Sequence, residues 1–140
     1  MTNVYTKKSE DTWNAIAKSF DSTRRKPWKE CIDFINDLPR SSIVADIGCG
    51  NGRHLIPCAK HCKKVIGVDY SREAITHAKK NYRHNNLEYR IGDARDLSYF
   101  NDKEFDIIIS FETIEHLEDD LNFLKELKRL LKSDGFLLIS

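Results

Sequence analysis

Ile43-Val44-Ala45-Asp46-Ile47-Gly48-Cys49-Gly50-Asn51-Gly52 is the stretch on which the fold turns. Its first half is a short apolar run broken by one acid, the mark of a strand buried on both faces. Its second half sets three glycines at alternate positions, where a tight turn or a close backbone approach to a ligand asks for residues without a side chain. Residues 53–61 then read as a helix. Strand, glycine turn and helix in succession are the opening of an α/β sheet that binds its ligand at the carboxyl ends of the strands.

The same alternation continues outward. Residues 65–69 form the next apolar run, and Ser71 is placed to cap a helix over residues 72–82, with Glu73 in its first turn. Further strands are predicted over 87–91, 105–110 and 136–139, the last after a Ser133-Asp134-Gly135 turn. Leu121, Leu124, Leu127 and Leu131 mark a long amphipathic helix before it. Upstream, Trp13, Ile16, Ala17 and Phe20 fall at helical spacing. A second helix is expected over 28–38, ended by Pro39. The expected organisation is an N-terminal helical arm over residues 1–42 and a ligand-binding α/β domain over 43–140. The alternation predicts a mostly parallel sheet with right-handed crossovers and helices on both faces. Residues just after Asp46, Asp69, Asp93 and Ser110 should share one rim.

Composition agrees with one folded domain. The chain has 140 residues, 40% apolar and 32% charged, with a formal net charge of +1. That balance disfavours long disorder and a wholesale basic surface, so any nucleic-acid contact has to be a local patch. No window approaches the roughly 18 consecutive apolar residues of a membrane helix. The N-terminus lacks the apolar run of a signal peptide, so a cytoplasmic setting with reduced thiols is expected for Cys31, Cys49, Cys58 and Cys62. His54, Cys58, His61 and Cys62 fall near one helical face. One short helix cannot wrap a tetrahedral ion, and there is no CxxC, so no metal is expected.

The glycine spacing is GxGxG, with Asp46 two residues before it and Asp69 at the end of the next strand, 19 residues beyond Gly50. A carboxylate at that distance suits ribose hydroxyls. An acid beside the turn disfavours a pyrophosphate and favours a ligand with a positive end. S-adenosylmethionine, with its ribose, adenine, ammonium and sulfonium, is such a ligand. The absence of GxxxxGK[ST] counts against a nucleoside triphosphate loop, and the GxGxG spacing with Asp46 counts against an oxidoreductase on a similar sheet.

Residues 44–52 resemble motif I of the class I S-adenosylmethionine-dependent methyltransferases. Val68-Asp69 resembles their ribose-binding motif, Ile91-Gly92-Asp93-Ala94 their adenine-binding loop, residues 105–110 their motif IV, and residues 130–135 the turn before their fifth strand. The resemblance implies a Rossmann-like three-layer sandwich. It also implies a cofactor site in which Gly48 and Gly50 pass the aminoacyl end and Asp46 helps hold its ammonium. Asp69 would hold the ribose, and Asp93 with Ala94 the adenine. Cys49, Tyr70 and Ser110 complete the implied cofactor set.

Motif IV ends Ser110-Phe111-Glu112 and lacks the Asn/Asp-Pro-Pro-Tyr of amino-group methyltransferases. Glu112 and His116 are the candidate catalytic groups, and the Glu115-His116-Leu117 segment is similar to small-molecule and quinone-type members. Residues 13–21 resemble the aromatic helix that lids the cofactor in many of these enzymes. Residues 22–28, with Arg24, Arg25, Lys26 and Trp28, resemble the arm of the tRNA wobble-uridine carboxymethyl methyltransferases. There the cations suit phosphate oxygens, and Trp28 suits either base stacking or the core. Residues 111–116 do not reproduce the corresponding segment of that group. The acceptor therefore stays open between tRNA and a small molecule, beside a non-catalytic cofactor-binding module. The family's sheet has seven strands and this chain stops at the fifth, as though truncated. A bare fifth strand predicts self-association, or a partner covering residues 136–139. The tRNA-type resemblance implies a small zinc-ribbon activator as one such partner.

Overall fold

A computed structural model of the chain describes residues 26–140. The expected helix over residues 9–20, and Arg24 and Arg25, lie outside the described residues. Helix α1 spans Lys29–Asn36, and strand β1, Ile43–Ile47, is followed by α2, Leu55–His61. Then come β2 at Lys64–Asp69, α3 at Arg72–Asn81, β3 at Leu87–Ile91 and β4 at Phe105–Ser110. A 3-10 turn at Ile114–His116, α4 at Asp120–Leu130 and β5 at Leu131–Ile139 complete the order. The sheet is β3-β2-β1-β4-β5, parallel throughout. The order reverses between β1 and β4, so the ligand crevice is expected above those two strands.

The central strands are apolar because both faces are covered. On one face α1, α2 and α3 pack Cys31, Ile35, Leu55, Cys58 and Ile75 against Val44, Ile107 and Ile109. On the other, α4 packs Phe123, Leu127 and Leu130 against Ile47, Ile66 and Ile108. α1 is thus part of the same core as the sheet. All four cysteines are free and buried, and burial pushes the Cys62 thiol up to about 11 and the Cys31 thiol up to about 12. No helix among the described residues is long and apolar enough to cross a membrane.

Three elements differ from the sequence expectation. The buried stripe of α4 is Phe123, Leu127 and Leu130, while Leu121 and Leu124 are exposed. Phe123 starts an i, i+4, i+7 series as regular as the leucine series, and its larger ring takes the core side. The expected Ser133-Gly135 turn is instead part of β5, which begins at Leu131. Leu131 pairs Phe105 and Phe136 pairs Ile107, so the extra residues bulge out of the register. Helix α2 starts at Leu55 rather than residue 53, which puts Pro57 in the first turn, where its missing N–H leaves no bond unmade. β5 is an edge strand, with Phe136 and Ile139 exposed.

Ser71 caps α3 as expected, its Oγ accepting from the Ala74 N–H at 3.1 Å. Ser71→Ala is expected to lower stability by about 1 kcal/mol, read by urea denaturation.

Candidate functional site

The chain leaves β1 through Gly48, Gly50 and Gly52, all at positive φ, of 80°, 54° and 86°. The Gly48 and Cys49 N–H groups both donate to the Val68 carbonyl, at 2.7 and 2.9 Å, which folds the loop over the end of β2. The Gly50 N–H donates to Asp69 Oδ2 at 2.9 Å, and the Ser71 N–H to Asp69 Oδ1, also at 2.9 Å. Asp69 therefore ties the glycine loop to the start of α3 as well as facing the crevice. A side chain at Gly50 would meet nothing within 4 Å; that position opens onto ligand space.

The predicted rim is real. The ends of β1, β2, β3 and β4 line one cavity, to which Asp46, Gly48, Cys49, Gly50, Asp69, Tyr70, Asp93, Ala94, Glu112 and His116 all contribute. Ser110 does not line it. Its hydroxyl is buried and donates to the Ile47 carbonyl at 2.8 Å, pinning β4 to β1 at the reversal point. Asp106 likewise serves the scaffold, accepting from the Ile43 N–H at 2.8 Å and pairing with Lys132 at 3.1 Å.

The acids of the cavity differ in state. Asp46 is 4% exposed. Burial first, and then the charge of Asp69, push its carboxyl up to about 7, with Arg53 pulling the other way. Burial also raises Asp69, against the pull of the backbone N–H donors. Burial raises Asp93 too, but the Arg95 side chain and amide outweigh it, and the net shift is downward. Arg95 clasps Asp93 through Nε at 2.9 Å and Nη2 at 2.5 Å.

Past β4, Glu112 takes φ 55° and lies 3.9 Å from Arg53 Nη2. His116 is half exposed, 3.8 Å from Glu115. Trp28 and Lys26 lie outside the cavity lining. Trp28 packs at 4.6 Å from the Phe111 ring and 5.8 Å from the His54 ring, with Arg53 stacked on it. Of the two settings open to Trp28 in the sequence, the structure favours packing. The Trp28 backbone N–H donates to His54 Nε2 at 3.1 Å. Burial, then Arg53, lowers His54 to about 4, so it is neutral at physiological pH. His61 bonds instead to the Leu38 carbonyl, at 2.6 Å. Arg53, His54 and Thr113 are among the site residues that sequence reasoning missed. Their only signal was adjacency to the glycine turn and to motif IV.

The residues fit S-adenosylmethionine. A buried acid that faces the crevice suits an ammonium, the open Gly50 position admits a chain beside the backbone, and Asp69 is within the same cavity for hydroxyl groups.

A family model described as "Methyltransferase domain" matches residues 45–139. The tRNA (carboxymethyluridine(34)-5-O)-methyltransferase alkbh8 of Xenopus tropicalis is 37% identical over 130 residues, covering 91% of this chain and 20% of that protein. The ubiquinone biosynthesis O-methyltransferase of Pelagibacter ubique is 32% identical over 149 residues, covering 97% and 61%. Among solved structures, a methyltransferase in complex with the Haloferax volcanii Trm112 methyltransferase activator superposes with a TM-score of 0.80 at 25% identity. That match covers 92% of this chain and 57% of the other. The chain thus spans between a fifth and about three fifths of the length of these relatives.

Proposed function

The chain belongs to the methyltransferase domain family, with S-adenosylmethionine as its cofactor, and from that premise we propose that it esterifies the carboxymethyl group of a tRNA wobble uridine. The observation that carries this reading is the 37% identity to a carboxymethyluridine methyltransferase across 91% of the chain. The site chemistry supports it. The cofactor supplies a methyl on a sulfonium, taken in line by an acceptor lone pair while the bonding pair leaves with sulfur. A carboxylate acceptor is already ionised, so no proton has to be removed. His54 is neutral, and its Nε2 lone pair already accepts from the Trp28 backbone N–H, which removes it as a base at that atom.

The chain's own residues would divide the work. Asp46 faces the ammonium, Asp69 the ribose, and Asp93 with Ala94 the adenine, while the walls beyond β4 orient the acceptor. Arg24, Arg25 and Lys26 would supply the phosphate contacts. A Trm112-like activator is the proposed partner, as in the similar solved methyltransferase. Small-molecule O-methylation is the second reading. It is favoured by His116 on the cavity wall, where a phenolic acceptor would need a base, and by the ubiquinone-type relative.

Calorimetry with S-adenosylmethionine tests the cofactor site. Asp69→Ala removes a charge-assisted contact and frees the Gly50 amide, so a tenfold or greater loss of affinity is expected, on the order of 1.5–3 kcal/mol. Transfer of labelled methyl decides the acceptor. An anticodon stem-loop bearing carboxymethyluridine should be labelled, and Arg24→Ala with Arg25→Ala should abolish that labelling. Labelling of a catechol alone would sink the tRNA reading.

A further inference from the structure

Two arginines line the cavity, and they are held differently. Arg95 is closed onto Asp93 by a bidentate fork. Arg53 lies on the β4 side. Its guanidinium carbon is 4.9 Å from the centroid of the Trp28 ring, and its side chain is only 11% exposed. Its Nη2 is 3.9 Å from Glu112 Oε2, a Coulombic contact beyond hydrogen-bond length. Glu112 reaches that position from a left-handed backbone, φ 55°, a conformation that costs a residue with a side chain. The charge of Arg53 also reaches Asp46, whose proton affinity it lowers. Arg53 therefore stands where the cofactor half of the cavity meets the β4 half, and this is where methyl donor and acceptor have to meet. Its neighbour His54 is neutral and adds no second cation there.

Resting on the carboxylate-acceptor reading above, we infer that Arg53 is the specificity-determining residue that seats the acceptor's carboxylate. Glu112 is the internal carboxylate that keeps its place until the acceptor arrives. A planar guanidinium offers paired donors that match a carboxylate, and the Trp28 ring, 4.9 Å from the guanidinium carbon, holds the group in place before binding. The fork takes one lone pair from each carboxylate oxygen and leaves another lone pair on each, one of which attacks the methyl carbon. The new O–C bond forms as the C–S pair returns to sulfur, and no proton moves. The exchange of Glu112 for the acceptor opens a 3.9 Å ion pair, a longer contact than the fork that holds Arg95 on Asp93.

The test compares 5-carboxymethyluridine with its neutral amide, 5-carbamoylmethyluridine. Each is titrated up to millimolar concentration into the full chain with S-adenosylhomocysteine present. The acid is expected to bind at least tenfold more tightly than the amide. Arg53→Gln should abolish that preference when acid and amide are each titrated at saturating S-adenosylhomocysteine. Arg53→Lys, which keeps the charge without the fork, should retain part of it, and Glu112→Gln should tighten the acid several-fold. Equal binding of acid and amide, or binding of neither, overturns the inference. So does a preference for the acid that survives in Arg53→Gln, which would assign the acceptor's carboxylate to another group of the cavity. An Arg53-dependent preference for the acid without methylation of the tRNA stem-loop would uphold this inference and refute the tRNA reading. Methylation of the stem-loop with no Arg53-dependent preference would do the reverse.

Discussion

Gly48→Ala is expected to unfold the rim of the cavity at a cost of about 2–4 kcal/mol, the sum of left-handed strain and overpacking. At φ 80° the new methyl would stand 2.1 Å from Thr113 Oγ1 and about 3 Å from the rest of that side chain. Thr113 cannot simply step aside. Its hydroxyl donates to the Phe111 carbonyl at 3.2 Å, and it lies 3.5 Å from the Ile47 carbonyl, so it is wedged between β1 and the segment after β4. Thermal denaturation should show the loss, and S-adenosylmethionine affinity should fall more than tenfold as the loop shifts off Val68. Two companions separate the causes. Gly50→Ala has φ 54° but meets nothing within 4 Å, so it should cost only about 1 kcal/mol in stability while still obstructing the ligand. Thr113→Ala in the Gly48→Ala background should restore the packing part and leave the backbone strain, a non-additive pair. Equal stability of Gly48→Ala and Gly50→Ala would remove the Thr113 contact from the account.

The contrast between these two glycines was beyond the sequence, although the loop itself was plain in it. β1 and β4 coincide with the predicted strands because a strand covered on both faces has to be apolar, and a contiguous apolar run is visible in one dimension; β3, an edge strand, shows instead the alternation of Leu87, Tyr89 and Ile91 with Glu88 and Arg90. Ser71, whose effect is local, was equally legible. Choices between near-equivalent faces were not. Leu121 and Leu124 scan as well as Phe123 and Leu130, and only the shape of the opposing sheet surface separates them. Contacts between distant segments were hidden for the same reason. Trp28 meets His54 and Phe111 across three separate stretches of chain, so neither the tilt of its ring nor the Arg53 stack has a sequence signature. Ser110 shows the opposite error. It ends a strand at the rim, where a polar side chain suggests a ligand, yet its hydroxyl turns inward to the Ile47 carbonyl.

Asp46→Asn is expected to stabilise the chain and weaken its hold on the cofactor, with both effects governed by pH. Burial and Asp69 hold the Asp46 carboxyl at about 7. Between the ordinary value of 3.8 and that folded value, the folded chain keeps a proton that the unfolded chain releases. Stability therefore falls as pH rises through this window and levels off above about 7. At pH 8 the ionised, buried Asp46 costs on the order of 4 kcal/mol. The neutral amide does not pay that penalty, so the variant should melt about 10 °C higher at pH 8 and match the wild type near pH 4. Ligand binding runs the other way. An ammonium needs the ionised acid, so wild-type affinity for S-adenosylmethionine should rise about tenfold per pH unit up to pH 7 and then flatten. In Asp46→Asn the affinity should be at least tenfold lower at pH 8 and lose that slope. A variant that melts with the wild type at pH 8 would show that Asp46 is solvated there. A surviving pH slope in binding would place the titrating group elsewhere in the cavity. If both hold as expected, the acid that stands two residues before the glycine turn is kept at a cost to the fold because the cofactor's ammonium is what neutralises it.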